Sequence, residues 1–209
     1  MLMVAFGWPQ AATATGESQC SAVHVHLDTT IANSDRGPFA GRALGQTFLA
    51  EDTVITRITV WRPRNTPGAV GMHLYVVGTN QNQVPDVTQM LLDGPTVTVY
   101  DSDPPGQYIE VPFVLDPPLS LPGPGTYAFF MQGESCNSGP VWYILANDTD
   151  PYPHGLYWIT GRVVSSPCHL RAVDGGENNT DLLFDIEFCD THPTPTRRQT
   201  WGELKVIYR

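Results

Sequence analysis

Apolar and polar residues alternate with a period of two in one segment of this chain after another. The pattern runs through GQTFLA from Gly45, VITRITVW from Val54, GMHLYVVG from Gly71, PTVTVY from Pro95, YIEVPFVL from Tyr108 and TYAFFMQ from Thr126. It returns in VWYILA from Val141, GLYWIT from Gly155, DLLFDIEFC from Asp181 and ELKVIYR from Glu203. Successive side chains of a strand point to opposite faces, so each of these roughly ten segments predicts a strand with a buried face. The connectors RPRNTPGA, DSDPPGQ, DPPLSLPGPG and ESCNSGP are rich in Pro and Gly, whose fixed or positive φ angles make turns. Helical spacing is nearest in VPDVTQMLLDG, where Pro85 and Gly94 leave room for one short helical turn. Many strands, polar turns and little helix predict an all-β fold, two antiparallel sheets packed face to face as a jelly-roll β-sandwich.

The order of these segments resembles that of secreted bacterial jelly-roll modules, which look like carbohydrate-binding modules. Their usual succession is a Q-x-F-x-A strand, an I-x-x-I-x-V strand, L-x-L-x-x-G, L-x-x-G-x-Y and a final D-L-x-F. GQTFLAEDTVITRITVW, LYVVG, LPGPGTYAFF and DLLFDIEF follow it over about residues 43 to 189. The resemblance implies the fold. It also implies a module that binds carbohydrate or is appended to a larger extracellular protein.

Composition refines this picture. The 209 residues, with 19 Gly and 19 Pro, suit one turn-rich domain over 23–209 with a polar excursion at 168–189, preceded by an apolar segment at 1–22. That segment, MLMVAFGWPQAATATGES, resembles the end of a secretory signal but lacks a basic start. If it is retained, Phe6 and Trp8 need a protein or membrane surface to lie on, making it a docking arm with peripheral membrane association. No stretch reaches the ~20 apolar residues of a spanning helix. The expected location is extracytoplasmic: periplasmic, cell-surface or secreted.

Cys20, Cys136, Cys168 and Cys189 are widely spaced with no C-x-x-C, and their even number fits disulfides. Of the three pairings, Cys168 with Cys189 is expected, because it would clip the polar stretch RAVDGGENNTD at its base. A net charge of −10, with only 11 Lys and Arg, excludes nucleic acid as a partner. The acidic loops DSD, NDTD and DGGENNTD offer hard oxygen ligands, so structural calcium is weighed against ordinary turn residues; no other cofactor is expected.

Catalytic templates fail at required positions. His24 and His26 of HVH share a strand face, as metal-ligating histidines do, but a third ligand is missing at the right distance. In LFDIEF, Asp185 and Glu187 are similar to the Glu-x-Asp-x-Glu strand of jelly-roll β-glucanases, yet Leu183 stands where the nucleophile would be. GESCNSG is not G-x-S-x-G, since Asn137 occupies the final Gly position.

Aromatic residues remain, concentrated in DPYPHGLYWITGR at 150–162. Alternation sets Leu156 and Trp158 against Tyr157 and Ile159, and Met72, Leu74 and Val76 against His73 and Tyr75. Val54, Ile58 and Val60 likewise oppose Trp61. Trp61, Tyr75 and Tyr157 are therefore candidates for an outward aromatic surface, with cross-strand packing as the competing role. The expected function is non-catalytic: an interaction module serving as an accessory subunit on a protein or envelope assembly through these aromatics, Phe6 and Trp8. Carbohydrate binding is the alternative, and a hydrolase of unfamiliar type the third reading.

Overall fold

A computed structural model describes residues 22–27, 29–37, 41–63, 70–99, 108–134, 142–163 and 167–189. These form β1 (Ala22–His26), β2 (Ser34–Arg36), β3 (Ala43–Ala50), β4 (Val54–Pro63), β5 (Val70–Thr79) and β6 (Pro85–Val99). There follow β7 (Tyr108–Ser120), β8 (Gly125–Gly133), β9 (Ile144–Asn147), β10 (Tyr157–Thr160), β11 (Val173–Glu177), β12 (Asp181–Leu182) and β13 (Phe184–Cys189). A 3-10 turn over Thr29–Ile31 is the helical element among the described residues. The fold is the expected all-β sandwich.

A four-stranded sheet, β1-β13-β4-β7, faces a six-stranded one, β11-β10-β3-β8-β5-β6, and a small sheet, β12-β9-β2, completes the structure. The chain crosses between the large sheets after β3, β4, β6 and β7, as jelly-roll connections do. Phe48, Ile58, Val60, Met72, Leu74, Val76, Phe113, Phe129, Phe184 and Phe188 bury their side chains between the sheets. Each fully buried side chain of this size contributes ~1.5–3 kcal/mol relative to exposure. A second cluster covers the outer face of the six-stranded sheet, where Tyr75, Val77, Phe130, Trp158 and Leu170 pack together.

Four local expectations change. The segment around VPDVTQMLLDG forms no helical turn; it belongs to the 15-residue strand β6. Pro85 begins that strand, and Gly94-Pro95 falls at a register shift, where a proline without N–H is tolerated. DLLFDIEFC breaks at Leu183: Asp181 and Leu182 pair with β9, while Phe184 onward joins β1 and β4. The polar excursion is in part the exposed edge strand β11, paired with β10.

The fourth is the disulfide. Cys168 and Cys189 are both disulfide-bonded, but they lie towards opposite ends of the sandwich. Cys168 Sγ is 3.1 Å from the carbonyl oxygen of Glu134, just beyond β8. Cys189 follows Phe188, whose ring meets Phe48 opposite Tyr127, six residues back along β8 from Gly133. Six strand residues span roughly 20 Å. That far exceeds the ~7 Å Cα limit for a disulfide, so these two cysteines are not partners. Cys20 and Cys136 lie outside the described residues.

Candidate functional site

The predicted aromatic surface does not assemble. Tyr157 is 4% exposed and faces the inter-sheet core. Tyr75 points away from that core, as alternation requires, but is 3% exposed beneath the second cluster, its hydroxyl 3.3 Å from Gln132 Oε1. Both are corrections of the outward reading, and burial raises the pKa of each phenol to about 12. Trp61 is half-buried, its ring edge-on to His26 at 5.9 Å. It lies on the four-stranded sheet, apart from Tyr75 and Tyr157 on the other. Phe6 and Trp8 fall outside the described residues.

Asp185 and Glu187 are half-buried and engaged: Asp185 Oδ1 is 3.8 Å from His26 Nδ1, and Glu187 Oε2 is 3.7 Å from Arg57 Nε. Leu182, Phe184, Ile186 and Phe188 point inward, as expected, and Leu183 is buried too. Among the described residues no group of three or more His, Cys, Asp or Glu could hold a metal ion. In NDTD, Asn147 Oδ1 accepts hydrogen bonds from the Thr149 backbone and hydroxyl, the geometry of an ordinary capped turn.

The loop that begins the aromatic-rich stretch does build a site. Gly155 sits so close to β3 that a Cβ there would lie 2.0 Å from the Thr47 carbonyl oxygen. The flanking bonds are Leu156 N–H to Thr47 Oγ1 at 2.7 Å and Thr47 N–H to the Leu156 carbonyl at 3.0 Å. Tyr152 is held at both ends: its N–H donates to Asp181 Oδ2 at 2.9 Å, and its hydroxyl accepts from the Leu49 N–H at 3.0 Å. Its ring stands edge-on to Phe184 and to His154. Burial, with the nearby charges of Asp181 and Glu51, raises the phenol pKa against the Leu49 hydrogen bond.

These side chains line a half-open cavity of about 290 Å³ at the end of the sandwich. Tyr152 and His154 line it from the loop, Glu51 and Asp52 from the β3–β4 turn, and Val25, Leu49 and Phe188 from the sheets. No Lys or Arg is among the lining residues.

Two further arrangements escaped pattern reading. At the β5–β6 register shift, His73 stands opposite Thr96 and Tyr75 opposite Asp93. This brings Asp93 and Thr96, three apart in sequence and so on opposite faces of a regular strand, to one imidazole. His73 Nε2 is 2.7 Å from Asp93 Oδ1, and Nδ1 is 2.8 Å from Thr96 Oγ1. Asp93, on the edge strand β6, is 71% exposed, while the His73 side chain on the neighbouring strand β5 is 25% exposed.

The second is a groove of about 600 Å³ where the edges of the two large sheets, β6 and β7, come together. Leu92, Gly94 and Pro95 form one wall, and Val114, Pro117 and Pro118 the other. Val114 is 59% exposed, and Asp93 and Asp116 flank the groove.

No family model and no curated protein matches the chain. Among solved structures, that of infectious bursal disease virus, Gx strain, is similar at 14% identity and a TM-score of 0.26. The alignment covers 90% of this chain and 45% of that one, so this chain spans less than half of its neighbour's length. The fold is an antiparallel β-sandwich with a groove between the edges of its two large sheets and a cavity lined in part by Glu51 and Asp52 at one end. No helix among the described residues is long and apolar enough to cross a membrane.

Proposed function

We propose that the protein is a non-catalytic extracytoplasmic interaction module, an accessory subunit that docks on a protein or membrane-associated assembly. The observation that carries this reading is the groove where the edge strands β6 and β7 come together. There Val114 stands exposed beside a proline-rich wall, and an apolar partner segment could bury it. Core aromatics occupied with packing favour docking over sugar stacking, which needs ring faces free at the surface. Oxidised Cys168 and Cys189 fit an oxidising compartment. Phe6 and Trp8 supply a second anchor.

The test is cross-linking of the full chain in its native envelope, comparing wild type with Val114→Arg. A defined neighbour, captured by the wild type and reduced at least tenfold by the variant at unchanged melting temperature, is expected. A chain that captures no neighbour but binds immobilised glycans would replace docking with carbohydrate binding.

A further inference from the structure

Val114, at 59%, is the most exposed large apolar side chain among the described residues, and it lines the β6–β7 groove. The place where the chain leaves the fold points to an occupant. Phe188 of β13 pairs with Ile55 of β4, and Ile55 pairs with Leu119 of β7, so the chain leaves β13 at Cys189 near the Leu119 end of the groove. Two strand spacings, about 10 Å, separate them. Thirteen residues, DTHPTPTRRQTWG, follow Cys189, and then comes ELKVIYR at 203–209; both lie outside the described residues. At the ~3.1 Å per residue of an extended proline-containing linker, the thirteen reach ~40 Å, several times the separation.

We propose that ELKVIYR lies in the groove of its own chain, entering at Ser120 and running antiparallel to β7, and that a docking partner must displace it. The second half of this proposal rests on the docking reading; the first does not. The period-two pattern puts Leu204, Val206 and Tyr208 on one face, to cover Val114 and the proline wall, and Lys205 and Arg209 on the other, within reach of Asp93 and Asp116. Seven residues of strand equal in length the stretch of β7 from Val114 to Ser120 that lines the groove. In a chain of net charge −10, residues 197–209 hold four of the 11 Lys and Arg against one acid, Glu203, opposite in sign to the groove's flanks. Pro117 and Pro118 have no N–H to donate along this edge, so side-chain burial rather than a full ladder holds the segment. A tether gives the segment a local concentration on the order of millimolar, which favours a chain's own tail over that of a second copy.

The experiment follows the backbone amide signals of Val114 and Leu119 by NMR in the full chain, comparing wild type with Val206→Asp, which puts a carboxylate into the apolar face of the tail. The probe is the free peptide WGELKVIYR. The substitution should shift both signals. The peptide should return them towards their wild-type positions, and should need at least tenfold higher concentration to act on the wild type. Adding Val114→Arg to Val206→Asp should abolish the response. Signals unmoved by Val206→Asp, or a peptide that acts on both chains equally or on neither, overturn the proposal. So does a wild type that sediments as a dimer with concentration-dependent signals, since the tail then belongs to a second copy. Native cross-linking tells this failure from that of the docking reading: capture of a neighbour should rise at least tenfold in Val206→Asp. If the signals behave as expected and neither chain captures a neighbour, docking falls and the filled groove stands. If both chains capture the same neighbour equally and the signals do not move, docking stands and the tail does not fill the groove.

Discussion

Gln46 Nε2 donates a 2.7 Å hydrogen bond to Asp181 Oδ1, while Gln46 Oε1 accepts one of 3.0 Å from the Leu182 N–H. A single buried amide thus ties β3 of the six-stranded sheet to β12 of the small sheet. It also holds the carboxyl that fixes Tyr152 beside the cavity.

Burial pushes the Asp181 pKa up to about 6, and the neighbouring Asp150 adds to the rise, against hydrogen bonds from Tyr152 N–H and Gln46. The folded protein therefore binds this proton more tightly than the unfolded chain, whose carboxyl titrates near 4. This stability contribution is fully present below about pH 4 and is lost as pH rises through about 6, a change of ~2–3 kcal/mol. Urea midpoints measured from pH 4 to 7 should fall accordingly. Asp150→Asn should lessen the fall, and an identical profile in that variant would reject the coupling.

Peptide mapping without reduction should recover two cross-links, Cys136–Cys168 and Cys20–Cys189. Cys168 lies against Glu134, two residues before Cys136, and Cys189 pairs in register with Ala22, two residues after Cys20. Recovery of a Cys168–Cys189 peptide would reject this connectivity.

Gly155→Ala tests the loop that shapes the cavity. A Cβ would press on the Thr47 carbonyl oxygen and come within 2.8 Å of Tyr152 Cδ1, so the loop must lift. Thermal unfolding should show a loss of about 1–3 kcal/mol. The tyrosine's near-ultraviolet dichroism should change with it; an unaltered spectrum would argue against a rigid ring.

Tyr157→Ala and Trp61→Ala separate packing from surface roles. Removing Tyr157 empties a core position and should cost about 3–5 kcal/mol in urea unfolding, whereas half-buried Trp61 should cost less than half as much. Equal losses would mean that Trp61 is as much a core residue as Tyr157.

Alternation along the chain was enough to determine the fold class and most inward faces. Burial of every second residue is a local, periodic requirement, and it reads directly in Met72-Leu74-Val76 and in Phe184-Ile186-Phe188. The same period marked Tyr75 as facing away from the inter-sheet core, correctly, but carries no record of what lies over a face. Only the tertiary structure brings Leu170 and Trp158 into the cluster that covers it. Arg62 follows Ile58 and Val60 on the inward face of β4 and is fully buried, a placement that charge alone argues against. The His73–Asp93–Thr96 set depends on a register shift that reverses the face of half a strand. The Glu51–Asp52–Tyr152–His154 cavity joins residues about a hundred positions apart. The two cysteine ends are likewise set by strand order, which a period-two pattern does not encode, because pairing between distant strands is chosen by global packing rather than by local preference.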